Sequence, residues 1–412
     1  MAKPTLYGPF VELITMHGLP LHGPLNDEEL PILKNAGIVV EGGQVLAIGN
    51  YTELLNEYES ANRVLNDDED LVAVPAFVDC HTHICWAGDR TNDYALRVAG
   101  KPYLEVAKSG GGIMSTVLAT RKASKEEQVE VILNHADKLL SQGIATIEVK
   151  SGYGLTAESE LTMLRAIKEA SEHTTADLIP TFLGAHIKPK DFNGSHEEYL
   201  IMLLEDVVPI IEKEKLCTRA DIFVEEDAFD VELGRKYAEK LKARGFDITM
   251  HVDQFNAGGS RMAIEVGSVS ADHLEFTDDE SVRLFANSET VAVALPGASL
   301  GLGMQYTPCR KLLDNDACLA IATDWNPGSA PMGDLITQAA LLGASEKLSI
   351  SETLAGITYR AAQALRIDAG VIHEGRKARF TVFPTKDHRS VFYQQGQMKP
   401  KFTVIGDEFI EH

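Results

Sequence analysis

The chain has 412 residues and a formal net charge of −23, a balance that repels phosphate backbones and anionic lipid surfaces, so no nucleic-acid or membrane partner is expected. With 44% hydrophobic and 24% charged residues and no apolar run of about 18 residues, it reads as a soluble globular protein. Five cysteines, at 80, 85, 217, 309 and 318, are odd in number and irregularly spaced, which argues against a disulfide framework; with no signal-peptide pattern at the N-terminus, a cytoplasmic location is expected.

Residues 1 to about 70 contain short β-like runs at 11–15, 37–40 and 44–49, separated by turn-forming residues. Gly42 and Gly43 read as a hairpin, and the acidic run 66–70 reads as a solvated loop. From residue 71 apolar strands alternate with amphipathic helices. Strands are expected at 74–83, 144–150, 178–186, 221–226, 247–253, 268–274, 290–296 and 319–324, and helices at 159–171, 231–244 and 278–286 among others. After Asp324 come a helix at 351–365 and β-like runs at 378–383 and 401–405.

Eight strands with intervening helices predict either a closed parallel barrel or an open doubly wound sheet. Polar residues at the strand ends decide for the barrel: His81 and His83, Glu148 and Lys150, His186, His251, His273 and Asp324 would meet at one C-terminal face. The expected fold is therefore α/β, a (β/α)8 TIM barrel over 73–367 with a small β-sandwich built from 1–72 and 368–412.

The strand period of two puts His81 and His83 on one face, one pleat apart. With His251 and Asp324 they make three imidazoles and a carboxylate, a donor set for one divalent metal ion, Zn2+ or iron (Fe2+/Fe3+), that leaves a position open for water. A zinc-bound water can have a pKa near 7 instead of about 15.7, which makes a hydrolytic nucleophile available at neutral pH. Asp324 and His273 are placed to handle its protons. Cys85 lies past the strand end and is not expected to be a ligand, and Cys80 faces the helices. Gly110-Gly111-Gly112 lacks the lysine of a phosphate loop and reads as a loop over the site. Glu148 and Lys150 read as a structural ion pair.

The stretches HTHICWAGDR (81–90), GGGIMST (110–116), EVKSGYGL (148–155), TFLGAH (181–186), HVDQ (251–254), SADHL (270–274) and ATDWNPGS (322–329) together resemble the amidohydrolase superfamily, and within it the branch that hydrolyses imidazolone rings. The resemblance implies the barrel and terminal β-sandwich, a homodimer, and a cytoplasmic role in histidine degradation. The reaction implied is hydrolysis of 4-imidazolone-5-propanoate to N-formimidoyl-L-glutamate. It also assigns Asn326, Gly328 and Ser329 to substrate or product binding. Two-metal relatives carry a bridging lysine where this chain has Glu225 and Glu226, so a single metal is expected.

That substrate needs a carboxylate clamp as well as a nucleophile. Arg90 suits the clamp because its planar fork matches a carboxylate at any working pH. Tyr153 is a second donor, and His186 ends a neighbouring strand. Gln254 offers both a donor and an acceptor to the ring's N–C=O edge. Some relatives carry Glu at that position, and an amide is no base, so within the catalytic set of His273, Asp324 and Gln254 proton transfer rests on the first two. Two other readings use the same residues: a deaminase of a base such as guanine or cytosine, which would release ammonia, and a scaffold without catalysis, against which the intact ligand set argues.

Overall fold

The computed structural model describes residues 3–64, 69–100 and 111–412. The N-terminal part supplies β1 (Thr5–Ile14), β2 (Ile32–Glu41), β3 (Gln44–Asn50), β4 (Asn62–Val64) and β5 (Val72–Pro75). The middle supplies β6 (Phe77–Asp79), β7 (Ile144–Lys150), β8 (Asp177–Ala185), β9 (Arg219–Val224), β10 (Asp247–Val252), β11 (Ser270–His273), β12 (Val291–Ala294) and β13 (Leu319–Ile321). The C-terminal part adds β14 (Arg379–Phe383), β15 (Phe402–Ile405) and β16 (Glu408–Glu411).

The two chain ends share one sheet, in the order β16-β15-β14-β5-β1-β2-β3 with β4 beside β1. The β2–β3 hairpin turns at the expected glycine pair, with Glu41 opposite Gln44. Apolar side chains of this sheet, including Phe10, Leu13, Phe380, Val382 and Phe402, make a core of their own. Phe380 meets Tyr7 and Phe10 edge to face, with centroids 5.3 and 6.4 Å away. Each such pair adds about 0.5–1.5 kcal/mol beyond burial.

The other sheet runs β6 to β13 in chain order, every pair parallel. Its ends meet: Asp324 N–H donates to the His81 carbonyl, and His83 N–H to that of Trp325, both at 3.0 Å. The barrel is thereby closed, as expected. Helices cover it in the usual way for parallel strands. The helix Ala157–Ala170 is capped by Thr156, whose hydroxyl accepts from Ser159 N–H at 3.2 Å. It buries Leu161, Leu164 and Ile167 at three-residue spacing.

Two expected elements divide. The run at 74–83 is not one strand: Val74 pairs with Thr381 in the terminal sheet, whereas Phe77 pairs with Ile144 in the barrel. The chain changes sheets at Ala76, and continuous apolarity cannot reveal this because both halves are buried. His81 and His83 consequently lie just past β6. The expected helix at 351–365 is two, Ile350–Gly356 and Tyr359–Leu365. Between them Ile357 turns its carbonyl to Val78 N–H at 2.9 Å, and Thr358 leaves helical geometry at φ −126° and ψ −110°. Of the acidic run at 66–70, residues 66–68 lie outside the described residues; Glu69 pairs with Lys401 and Asp70 with Lys386.

Candidate active site

At the C-terminal end of the barrel, three buried imidazoles face one another. His83 Nε2 lies 3.3 Å from His81 Nε2 and 3.3 Å from His251 Nε2. Asp324 Oδ1 sits 3.2 Å from His83 Nε2 and 3.5 Å from His81 Nε2. Two of the other ring nitrogens are tied back: His81 Nδ1–H donates to Asp272 Oδ2 at 2.6 Å, and His251 Nδ1–H to Asp221 Oδ1 at 3.1 Å, whereas His83 Nδ1 has no hydrogen-bond partner among the described residues. These bonds fix the tautomers, so both Nε2 atoms present lone pairs to the centre. A proton on His83 Nε2 would satisfy only one of its three neighbours, the Nε2 atoms of His81 and His251 and Oδ1 of Asp324.

A metal ion fits this arrangement. Nitrogens bound tetrahedrally at about 2.0–2.1 Å from zinc stand about 3.3 Å apart, which is the spacing observed. Burial, first of all, holds His81 and His83 well below their ordinary 6.5, so both are neutral donors. Burial would raise Asp324, but His81, His273 and His251 hold it below the usual carboxylate value. The expected non-ligands stay apart: Cys85 packs in the main apolar core and Cys80 in another cluster beside Val78 and Ala320. Glu225 accepts from Phe255 N–H and Asn256 Nδ2, at 2.9 and 3.0 Å, and Glu226 is exposed.

The cluster opens into a cavity of about 360 Å³. Arg90, Tyr153, His186, Gln254, His273, Asn326, Gly328 and Ser329 all line it, with His83, His251 and Asp324 at its base. Arg90 Nε donates to Asp93 Oδ2, which also accepts from Gly112 N–H at 2.8 Å. This fixes the guanidinium against Gly328 at the cavity wall. Tyr153 reaches the cavity from a strained turn. Gly152, at φ +105°, has no room for a side chain, since a Cβ there would lie 2.9 Å from the Leu183 carbonyl. The carboxylate of Glu160 clamps that turn, accepting from the N–H groups of Gly152, Gly154 and Leu155 at 3.1, 2.8 and 2.8 Å. His186 donates Nδ1–H to Gly152 O at 3.0 Å, and burial with nearby His251 pushes it down to about 4. It therefore presents a neutral Nε2.

His273 ends β11 with a left-handed backbone, φ 86°, a conformation that costs about 1–3 kcal/mol for a side chain with a Cβ. Thr307 holds it by donating its hydroxyl to the His273 carbonyl at 2.5 Å. Its Nδ1 lies 3.6 Å from Glu275 Oε1, and Ser299 donates to that oxygen at 2.9 Å. Burial works against charge on His273, yet Glu275 and then Asp324 outweigh it and raise the imidazole above 6.5.

The Asn326 amide is committed within its own loop. Its oxygen accepts from Gly328 and Ser329 N–H, both at 2.8 Å, and its nitrogen donates to Asp324 O at 2.7 Å and Ser329 Oγ at 2.9 Å. It shapes the wall rather than offering free polar groups. Of the expected glycine loop, Gly110 lies outside the described residues; Gly112 precedes the helix Ile113–Lys122, and Ile113 lines the cavity.

Several lining residues were not expected from sequence. Arg97, seven residues after Arg90 and so on nearly the same helix face, donates both terminal nitrogens to Gly328 O at 3.2 and 3.3 Å. Phe223 meets the rings of His251 and His186 edge-on, at 5.7 and 6.2 Å. Arg97's spacing from Arg90 is a readable signal; Phe223 carries none beyond its place near a strand end.

Residues 72–410 match the model of the amidohydrolase family. The imidazolonepropionase of Rubrobacter xylanophilus is 40% identical over 381 residues, covering 91% of both chains. That of Vibrio campbellii is 36% identical over 389 residues, covering 92% of this chain and 93% of its own. The chain is an amidohydrolase of the imidazolonepropionase family. A solved structure, the atrazine chlorohydrolase of Arthrobacter aurescens complexed with zinc, superposes with a TM-score of 0.70 over 99% of this chain and 95% of its own. At 17% identity that likeness bears on the fold alone. For an amidohydrolase, the histidine cluster and its carboxylate stand where a barrel presents its reactive groups.

Proposed function

We propose that the chain hydrolyses the ring amide of 4-imidazolone-5-propanoate to N-formimidoyl-L-glutamate, the histidine-degrading reaction of its named relatives. The observation that carries this is the layout of one cavity: an imidazole cluster with Asp324 at its base, and Arg90 at its wall. A substrate with an electrophilic ring carbonyl at one end and a carboxylate at the other matches both.

His81, His83, His251 and Asp324 hold one divalent ion, zinc or iron, in this reading. When bound, the ion supplies an activated water at neutral pH and polarises the carbonyl. The chain's residues do the rest. Arg90 and Tyr153 grip the propanoate, with the Arg90 fork already oriented by Asp93. His186 and Gln254 align the ring, Gln254 pairing with its N–C=O edge. Asp324 accepts a proton from the attacking water through its free carboxylate oxygen. His273, whose protonated form Glu275 favours, delivers a proton to the departing ring nitrogen. Gly328 and Ser329 contact substrate or product beside Arg90, and Asn326 keeps that wall in shape. Phe223 and Ile113 exclude water from the rest of the cavity.

The same reading includes a catalytic barrel over 73–367, a terminal β unit from 1–72 with 368–412, a homodimer, a cytoplasmic location, and neither nucleic acid nor membrane as partner. No helix among the described residues is long and apolar enough to cross a membrane. The test is turnover: metal-loaded protein should remove the ultraviolet absorbance of imidazolonepropanoate without releasing ammonia. Ammonia from guanine or cytosine would replace this function with deamination.

A further inference from the structure

Beneath the imidazole cluster, the barrel interior holds an ammonium group that does not reach the cavity. Lys150, on β7, is wholly buried. Its Nζ lies 2.8 Å from Glu148 Oε1 and 2.8 Å from Asp221 Oδ2, and both carboxylates are wholly buried too. Thr181 fixes Glu148 by donating to Oε1 at 2.6 Å. Asp221, on β9, faces His251 Nδ1 with both oxygens, Oδ1 at 3.1 Å and Oδ2, the one beside Lys150, at 3.0 Å. The chain of contacts runs from Glu148 through Lys150 and Asp221, and it ends on one of the three clustered imidazoles.

Fold stability does not account for this arrangement, because a well-packed apolar residue of similar volume commonly serves a core as well as a buried ion pair does. Geometry suggests another use. An aspartate held by His251 alone could swing away and free the ring to turn. With Oδ2 pinned by Lys150, the carboxylate stays on Nδ1 and Nε2 stays aimed at His83. His81 gets comparable support from a hydroxyl: Asp272 Oδ2 accepts from Thr249 at 2.9 Å as well as from His81. For His251 that support is a cation.

We propose that Lys150 is a positioning residue for the metal centre, acting through Asp221 to hold His251 with its Nε2 facing His81 and His83. This rests on the metal-dependent reading of the site. It goes beyond a structural Glu148–Lys150 pair, and because Lys150 lies outside the cavity it assigns no substrate contact.

The test uses full-length protein, stripped with a chelator and titrated with zinc against a chromophoric competitor, and with cobalt to record the visible spectrum. The variants are Lys150→Met and the double variant Lys150→Met/Glu148→Gln, which does not leave two carboxylates facing each other without a cation. The expected result is a zinc Kd raised about 10- to 100-fold, the usual effect of losing support behind a metal ligand. An altered cobalt spectrum should accompany it, with the metal-free melting temperature of the double variant close to that of the wild type. Zinc affinity within twofold of wild type in either folded variant would overturn the proposal. So would failure of both variants to fold, which would assign Lys150 to the barrel core. Wild-type protein that takes up neither zinc nor cobalt would overturn the metal reading itself, a result seen before any variant is compared.

Discussion

Asp324 donates its backbone N–H to the carbonyl of His81 at 3.0 Å, while its carboxylate oxygen stands 3.5 Å from the same residue's Nε2. The bond that closes the barrel between its first and last strands therefore also sets a carboxylate against an imidazole. Barrel closure and site assembly are one event in this chain.

Removing the metal should then abolish turnover and leave the barrel standing, because its strands are paired with one another and its apolar core is packed without the ion. Dialysis against a chelator is expected to eliminate activity with little change in far-ultraviolet circular dichroism, and added zinc or ferrous ion should restore it. Asp324→Asn, which keeps the shape but loses the charge and the proton acceptor, should lower kcat by at least about 100-fold. Full activity in the stripped protein would contradict the assignment.

Arg90→Ala should raise KM about 10- to 100-fold, reflecting the ~1.5–3 kcal/mol of a hydrogen bond to a charged group. Arg90→Lys should rescue little, because an ammonium cannot reproduce the fork that Asp93 orients. Steady-state kinetics on imidazolonepropanoate decide this; an unchanged KM in the alanine variant removes the clamp.

His273→Asn should cost at least about 100-fold in kcat. A subtler change tests the proton. Glu275 raises His273 above its ordinary value, so the protonated imidazole is present at low pH and lost as pH rises through that raised value. Glu275→Gln removes the main raising influence, and the basic limb of the kcat profile should move to lower pH. A limb that stays in place would mean that His273 does not deliver the proton.

The chain leaves helical geometry at Thr358 and is held there by a close approach from Gly370. A Cβ at Gly370, where φ is +76°, would sit 2.4 Å from the Thr358 carbonyl carbon and the Tyr359 nitrogen, all of it backbone. Gly370→Ala should destabilise the fold by about 1–3 kcal/mol or more, read as a lower urea midpoint, with the KM of the surviving enzyme unchanged.

Much of this was legible in the sequence for a physical reason. Buried parallel strands read as apolar runs, so β7 falls where expected, and the reactive residues that interrupt them mark the strand ends at His251, His273 and Asp324. What was not legible depends on who meets whom after closure. Nothing local tells Val74 from Phe77, though they join different sheets. The helix break at Ile357 is set by Val78, far away in sequence. Asp221 and Asp272 look like ordinary strand polar residues until the barrel places them behind His251 and His81. Asn326 reads as a free binding group, and only the folded loop shows its amide bonded to its own neighbours.

In the proposed reaction water opens the ring at its carbonyl. Turnover of 4-imidazolone-5-propanoate in 18O-labelled water tests it most directly, with the product examined by mass spectrometry. The expected product is N-formimidoyl-L-glutamate carrying one heavy oxygen from a single turnover, located in the newly formed carboxylate, with no free ammonia. Unlabelled product, or label accompanied by ammonia release, would contradict it.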